Sequence, residues 1–426
     1  MHSPAPSPAS TRGSAGGRGW GSPRLRSSSR GQSRFGTDRR AAARLRSRAM
    51  VLFVHNRYRT TGGEERVVDD LVWLVREHLG EPAERLERDS AASGRAAAAV
   101  GLLRGGLAPV EVARAVRLTG ARVVHAHNLL PSLGWRALAA ARSAGARVVL
   151  HLHQYRLVCA VGVCFTHGEE CTRCHGTNTL PGIRRNCRGS VPEALAYGAG
   201  LALWQRRLTE LADAVIVPSV FARERLRALG APLAWDRVHV LPPPLREPAL
   251  DAAAPSALPA QPYALVASRL APEKGIDVAI EACRMAGIAL VIAGEGPERA
   301  VLAERVRGAD VRFIGRVGDS ELAALRSRAA IALAPSRSAE TFGISVAEAM
   351  AAGTPVAASR VGALPELVEE DGLVSPGSAR ALAAAISRRA GDAEAGARGR
   401  AAVRALCAPE AVAASLRSIY GGAGST

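Results

Sequence analysis

The sequence predicts an α/β protein made of two Rossmann-like, doubly wound domains facing each other across a cleft. Three observations predict it. From Val51 onward, short apolar runs alternate with amphipathic stretches. Such alternation is the pattern of parallel strands joined by crossover helices. A segment near 241–262 opens Leu241-Pro242-Pro243-Pro244 and continues rich in Ala and Pro, splitting the alternation into halves. Pro at that density suits neither a helix nor a central strand, so it reads as a linker. The length, 426 residues, suits two or three domains. No apolar run approaches the ~20 residues that a membrane span needs.

Residues 1–49 consist mainly of Ser, Gly, Pro, Ala and Arg, with 11 Arg and one acid, Asp38. Their few large apolar residues cannot offset ordering entropy, so a disordered tail is expected. A basic arm or transit-like segment is one reading. The other is a true start at Met50, since the first strand begins directly after it. Strands are then expected at 51–55, 122–126, 147–152 and 214–217 in a first domain, 50–243. In a second domain, 263–407, they are expected at 263–268, 289–293, 311–314, 330–334 and 355–359. Helical patterns cover Glu65–Leu79, Pro192–Ala212, Ile276–Ala286, Pro297–Val306, Asp319–Ala329 and Ser345–Ala352. A loop rich in Cys spans 157–190, the linker 244–262, and a last helix lies in 408–426.

The formal charge of +18 invites a nucleic-acid reading. More than half of it sits in the first 49 residues. Nucleic-acid binding also wants aromatics interleaved with clustered basic residues, and aromatics make up only 4% of the chain. No nucleic-acid partner is therefore expected. Lys274 is the only lysine among 56 basic residues, and it falls inside a motif.

That motif is Ser268-Arg269-Leu270-Ala271-Pro272-Glu273-Lys274-Gly275, directly after a strand. An Arg fork and a Lys point charge at a strand end suit a diphosphate. A second motif runs from Glu340 to Glu348. The amides of Phe342, Gly343 and Ile344 open a helix and suit an anion, and the two carboxylates flank it. In the first half, Gly62-Gly63 precedes a helix and lets a ligand approach the backbone. Gly294-Glu295-Gly296 is no dinucleotide fingerprint, because Arg299 stands where a third Gly belongs.

Two His-x-His pairs, His125/His127 and His151/His153, end strands. A zinc site there is conceivable; a hydrogen-bonded strand-end histidine is the plainer expectation for at least one of each pair. Five of seven cysteines fall within 159–187. Four of them, Cys159, Cys171, Cys174 and Cys187, form a candidate structural zinc set, with His167, His175 and Cys164 in reserve. Disulfides and buried reduced thiols are the alternatives.

Taken in order and spacing, these motifs resemble the family-four glycosyltransferases, retaining enzymes of the GT-B fold. The likeness covers about 50–420. It includes Gly62-Gly63-Glu64, His153-Gln154-Tyr155-Arg156, Phe313-Ile314-Gly315, Gly353-Thr354-Pro355-Val356 and Gly362-Ala363-Leu364-Pro365-Glu366. Val124–Leu129 and the cysteine loop are similar to one subgroup, found among cell-envelope and polysaccharide transferases. The resemblance implies roles. Arg269 and Lys274 would hold the donor diphosphate, aided by the Gly63 amide. Glu340 would bind sugar hydroxyls, the Gly343 and Ile344 amides the sugar and phosphate, Glu348 the ribose, and His153 the donor sugar. The implied partners are a UDP- or GDP-sugar and a glycan or lipid-linked acceptor, with no metal needed for the chemistry. The last helix would cross back to the first domain. Gln154 departs from the Asn or Asp more usual after this histidine. Acceptor candidates are Arg57, Tyr58, His127 and Arg156, with Arg59 and Arg188 also suited to a pyrophosphate or acidic glycan. A cytoplasmic location, peripheral on the inner face of an anionic membrane, is expected. Another GT-B enzyme, such as a nucleotide-sugar epimerase or a sucrose-synthase-like transferase, is the main alternative. A non-catalytic partner subunit is disfavoured by the intact charged motif.

Overall fold

The computed structural model describes residues 50–58, 62–92, 94–246, 259, 262–306 and 308–421. The tail 1–49, Arg59, most of the linker and residues 422–426 lie outside the described residues. The first half holds strands β1 (Met50–Arg57), β2 (Ala83–Asp89), β3 (Ala121–Ala126) and β4 (Arg147–His151). A small hairpin β5 (Phe165–Thr166) and β6 (Glu169–Glu170) follows, then β7 (Ala214–Val217) and β8 (Val238–Val240). Apart from the hairpin, these form one parallel sheet of order β2-β1-β3-β4-β7-β8. The second half holds β9 (Tyr263–Ala267), β10 (Ala289–Ala293), β11 (Val311–Gly315), β12 (Ile331–Ala334), β13 (Val356–Ser359) and β14 (Leu373–Val374). Their order is β11-β10-β9-β12-β13-β14, again all parallel.

Both sheets are covered on both faces, which explains the unbroken apolar strands. In β1, Leu52 and Val54 face one core while Val51 and Phe53 face the other. β9 divides in the same way, with Ala264 and Val266 on one side and Tyr263 and Leu265 on the other. Five helices matter for the site: α1 (Gly63–Leu74), α2 (Val191–Glu210), α3 (Val220–Ala228), α4 (Ile344–Ala351) and α5 (Pro409–Gly421). The terminal helix α5 seats Val412, Leu416 and Ile419 in the core of the first sheet, against Phe53 and Val67.

The sequence reading missed β2, β8 and β14, all at or near sheet edges. β2 reads Ala83-Glu-Arg-Leu-Glu-Arg-Asp, and of these only Ala83 is buried. It lies at the sheet edge, so polar side chains stay wet while the backbone pairs with β1. The strand order reverses between β1 and β3 in the first sheet and between β9 and β12 in the second. Ligands of open parallel sheets bind outside the strand carboxyl ends at such switch points.

Candidate active site

The loops leaving both switch points meet in one cleft of about 1160 Å³, lined by residues of both sheets' domains. From the first come Tyr58, Gly62, Gly63, His153 and Arg156; from the second come Arg269, Lys274, Glu340, Phe342, Gly343, Ile344 and Glu348. The helices α1 and α4 present their N-termini to each other here: a Cβ added at Gly63 would lie 3.0 Å from Ile344 Cδ1. Two sets of first-turn amides therefore open onto the same space, a ready anion site.

Lys274 ends the loop from β9. Its Nζ donates to Glu340 Oε1 at 2.6 Å, and Ser336 Oγ donates to the same oxygen at 2.6 Å. Burial pushes the Glu340 carboxyl up, but the Lys274 ammonium and the Ser336 hydroxyl outweigh it and hold it below the usual range. Glu340 is therefore an ionised acceptor. Arg269 pairs with Glu273 on its own loop and remains partly exposed. Two glycines let these loops close. Gly275 has φ +62, and a Cβ there would sit 2.1 Å from Pro335 O; Gly362 has φ +61, and a Cβ would lie 2.3 Å from Glu340 N. Only Gly fits either place.

Glu348 is held by two arginines that the sequence reading did not single out. Arg326 hydrogen-bonds Oε2, while Arg66 of α1 brings Nε within 2.7 Å of Oε1. Arg66 also pairs with Asp319 at 2.5 Å. The Arg66 contact lacks hydrogen-bond angles, so Oε1 is a buried acceptor without a hydrogen-bond donor.

The histidines form a buried stack. His125 Nδ1 meets Tyr420 Oη of α5 at 2.8 Å and its Nε2 meets His151 Nδ1 at 3.2 Å. His127 Nδ1 meets His153 Nε2 at 2.8 Å. Burial holds all of these rings, and His55, below the usual histidine range. The ligand atoms of His125, His127 and His151 lie within 4.8 Å of one another. The rings stack at 13–30° rather than converge, and His125 and His151 spend nitrogens on each other. In-plane lone pairs so arranged do not meet at one ion, so the trio reads as packing. His127, one residue past β3, is 2% exposed; it hydrogen-bonds His153 and lines a small pocket shared with Tyr58 and Arg156.

Of the other acceptor candidates, Arg57 is exposed and does not line the cleft. Arg156 does; it packs over the Tyr58 ring at 4.7 Å. Arg188 also lines it, stacked on Tyr197 of α2 at 3.7 Å. Both arginines keep a buried Nε without a hydrogen-bond partner. Beside them Glu64, unremarked as a site residue from sequence, is pushed up to about 7 chiefly by burial. The halves are tied by hydrogen bonds. Thr341 Oγ1 donates to His153 O at 2.8 Å, Ser219 Oγ donates to Thr341 O at 2.6 Å, and the N-terminal amides of α3 donate to Glu366.

Residues 37–244 match the family described as "Glycosyl transferase 4-like domain", and residues 261–392 match "Glycosyl transferases group 1". A Mycobacterium tuberculosis protein named GDP-mannose-dependent alpha-(1-6)-phosphatidylinositol dimannoside mannosyltransferase is 36% identical over 171 residues, covering 37% of this chain and 44% of that one. A Mycolicibacterium hassiacum MMP alpha-(1->4)-mannosyltransferase is 42% identical over 97 residues, covering 22% of this chain and 23% of that one. The chain thus spans less than half the length of the curated relatives it matches here. Among solved structures, sucrose-phosphate synthase from Thermosynechococcus elongatus superposes with TM-score 0.64 at 21% identity, covering 88% of this chain and 98% of that one. Anabaena HepE in complex with UDP and glucose gives TM-score 0.58 at 19% identity, covering 88% and 99%. The two family matches and the shared architecture make this chain a glycosyltransferase of the GT-B fold, with a 4-like first domain and a group 1 second domain.

Proposed function

We propose that the chain moves a hexose from a UDP- or GDP-sugar to a glycan or lipid-linked acceptor, with retention at the anomeric carbon, in cell-envelope or exopolysaccharide synthesis. One observation carries the reading: two helix N-termini, from α1 and α4, converge beside Lys274 and the ionised Glu340. A nucleoside diphosphate sugar has a matching charge order, with anionic phosphates for the amides and cations and neutral hydroxyls for the carboxylates. Glu348 Oε1 would take a ribose hydroxyl. The printed name of the M. tuberculosis relative supports a GDP-linked hexose.

In the proposed reaction, the acceptor hydroxyl oxygen bonds to the sugar's anomeric carbon on the face from which the phosphate leaves. The carbon–phosphate-oxygen bond breaks, and the leaving phosphate oxygen takes the hydroxyl proton. Lys274, Arg269 and the helix-terminal amides stabilise the charge that grows on the diphosphate. Glu340 fixes the sugar. His153 is neutral; with Nε2 engaged by His127, its Nδ1 is the nitrogen left for the donor sugar. The guanidinium groups of Arg156 and Arg188 at the cleft favour an acceptor carrying phosphate. A lipid-linked acceptor would bring the enzyme to an anionic membrane surface. Among the described residues, no single helix is long and apolar enough to cross a membrane.

Nucleotide-dependent thermal shifts across UDP- and GDP-sugars, followed by transfer assays, test the donor. NMR of the product's anomeric proton tests retention; an inverted product overturns the mechanism. His127→Leu is expected to lower kcat about tenfold or more, by releasing His153, with nucleotide affinity kept. An unchanged kcat would reduce the histidine pair to packing.

A further inference from the structure

The cysteine loop lies outside the chemistry above, yet its geometry is specific. All five of its thiols, Cys159, Cys164, Cys171, Cys174 and Cys187, line one cavity of about 20 Å³. All are free, not joined in disulfides. Regular secondary structure in the loop is short. Its strands have two residues each and its helix, Leu180–Arg184, has five. Hydrogen bonds such as Thr179 Oγ1 to Gly198 O and Gln205 Nε2 to Gly176 O tie the loop to the rest of the domain. It also carries three residues other than Gly in the left-handed region: Cys164 at φ 51°, His167 at φ 53° and Asn186 at φ 43°. Each such residue costs about 1 kcal/mol or more, and it persists only where the surroundings over-determine it.

We infer that this loop is a structural zinc site, with Cys159, Cys171, Cys174 and Cys187 as thiolate ligands, and that the metal fixes the acceptor side of the cleft. Soft thiolates in a closed, four-ligand set select zinc among the common divalent ions. The chain supplies them from three separate turns. The hairpin β5–β6 turns back through His167 and Gly168 and delivers Cys171, whose amide donates to Cys164 O at 2.8 Å. The Cys171-x-x-Cys174 turn supplies two ligands together. Cys187 closes the set just after the short helix, its amide donating to Gly182 O at 3.1 Å. Cys164 is the fifth thiol. It lines the same cavity, and Cys164→Ser tests its omission from the ligand set. Among the described residues no three of these sulfurs lie within 4.8 Å of one another, so binding draws the loop inward.

The placement of the ligands gives the metal its role. Cys159 lies three residues after Arg156, and Cys187 directly precedes Arg188. Arg188 Nη1 donates to Ala160 O, next to Cys159, at 3.2 Å. Joining Cys159 to Cys187 through one ion therefore clamps together the two chain segments that hold both cleft arginines. This part rests on the proposed transferase reading; the metal site itself does not.

The test uses the full chain, purified without added chelator. Elemental analysis is expected to give about one zinc per chain. Absence of stoichiometric zinc, iron in its place, or disulfides among these cysteines in native mass spectra overturns the site. Cys164→Ser is expected to keep the metal, whereas Cys171→Ser and Cys187→Ser lose it; metal loss in Cys164→Ser overturns the ligand set. Should the serine variants not fold, an organomercurial titration of the wild-type chain decides: zinc release in step with thiol blockage supports the site, and blockage without release overturns it. Metal-depleted protein is expected to show an acceptor KM raised about tenfold, with the nucleotide-induced thermal shift unchanged. An unchanged acceptor KM overturns the clamp while leaving the zinc. Loss of the nucleotide shift overturns the assignment of the metal to the acceptor side. If no sugar is transferred even with zinc bound, the transferase reading fails and the metal site stands.

Discussion

Lys274→Ala is expected to cut turnover by about 10²–10³-fold while the protein stays folded. On the proposed reading the loss is large because Lys274 would stabilise the leaving diphosphate with a charge that needs no reorganisation as the leaving group forms. Its ammonium is already oriented by Glu340 at 2.6 Å. Arg should not rescue it, since a planar fork cannot occupy the place of a point charge held by one carboxylate oxygen. The fold should survive because Glu340 keeps the Ser336 hydroxyl and its side chain is 19% exposed. Stranding it costs about 1–3 kcal/mol, against a typical stability of about 5–15 kcal/mol. Glu340→Ala removes both the sugar acceptor and the orientation of Lys274. The double variant should thus be little worse than the poorer single one, since coupled residues are not additive. The measurements are kcat with the cognate donor and the thermal midpoint. Near-wild-type turnover at matched stability sinks the assignment.

The motif around Lys274 was legible in the sequence because three local signals coincide: a strand end, a glycine, and a residue type used nowhere else. The inner strands were legible for a related reason. Each is buried on both faces, so apolar runs such as Val148-Val149-Leu150 stand out. The edge strand β2 did not stand out, since its side chains face water and only its backbone reports the sheet. The site's partners were equally hidden. Arg66 reaches Glu348 only because the two domains close on each other, and no spacing within either half encodes that. The depth of His127 was not legible: periodicity tells which face a strand residue takes, not how deep it lies. Glu64 was hidden in the same way. Burial raises its carboxyl against the opposing pull of the Tyr58 hydrogen bond, and the Tyr58 and Gln154 that touch it lie in different loops.

Burial of the histidine stack sets the second large effect: stability is expected to fall as pH drops from 7 to 5. The sign follows from which state binds protons. Burial lowers His55 to about 4 and His125 to about 3, and takes His127 and His151 well below the ordinary value of 6.5. In the unfolded chain each titrates near 6.5. Below that pH the unfolded state takes up protons that the native state refuses, so stability is full above it and drains as pH falls. At pH 5 His55 and His125 cost about 2 kcal/mol each, and the other buried histidines act in the same direction. Two buried carboxyls oppose this. Glu64 and Asp70 are raised to about 7, chiefly by burial. They are protonated in the native state before the unfolded one, and return about 2–3 kcal/mol each over the same interval. Five buried histidines, His153 included, stand against two acids, and the expected balance is a net loss. Denaturant midpoints measured from pH 5 to pH 8 check it. His125→Phe should flatten the slope by about one proton, while losing the Tyr420 and His151 hydrogen bonds at every pH. A stability flat between pH 7 and pH 5 would mean that the imidazoles take up protons within the fold. The stack would then have to open to water at His151 and His153, the members that line the cleft.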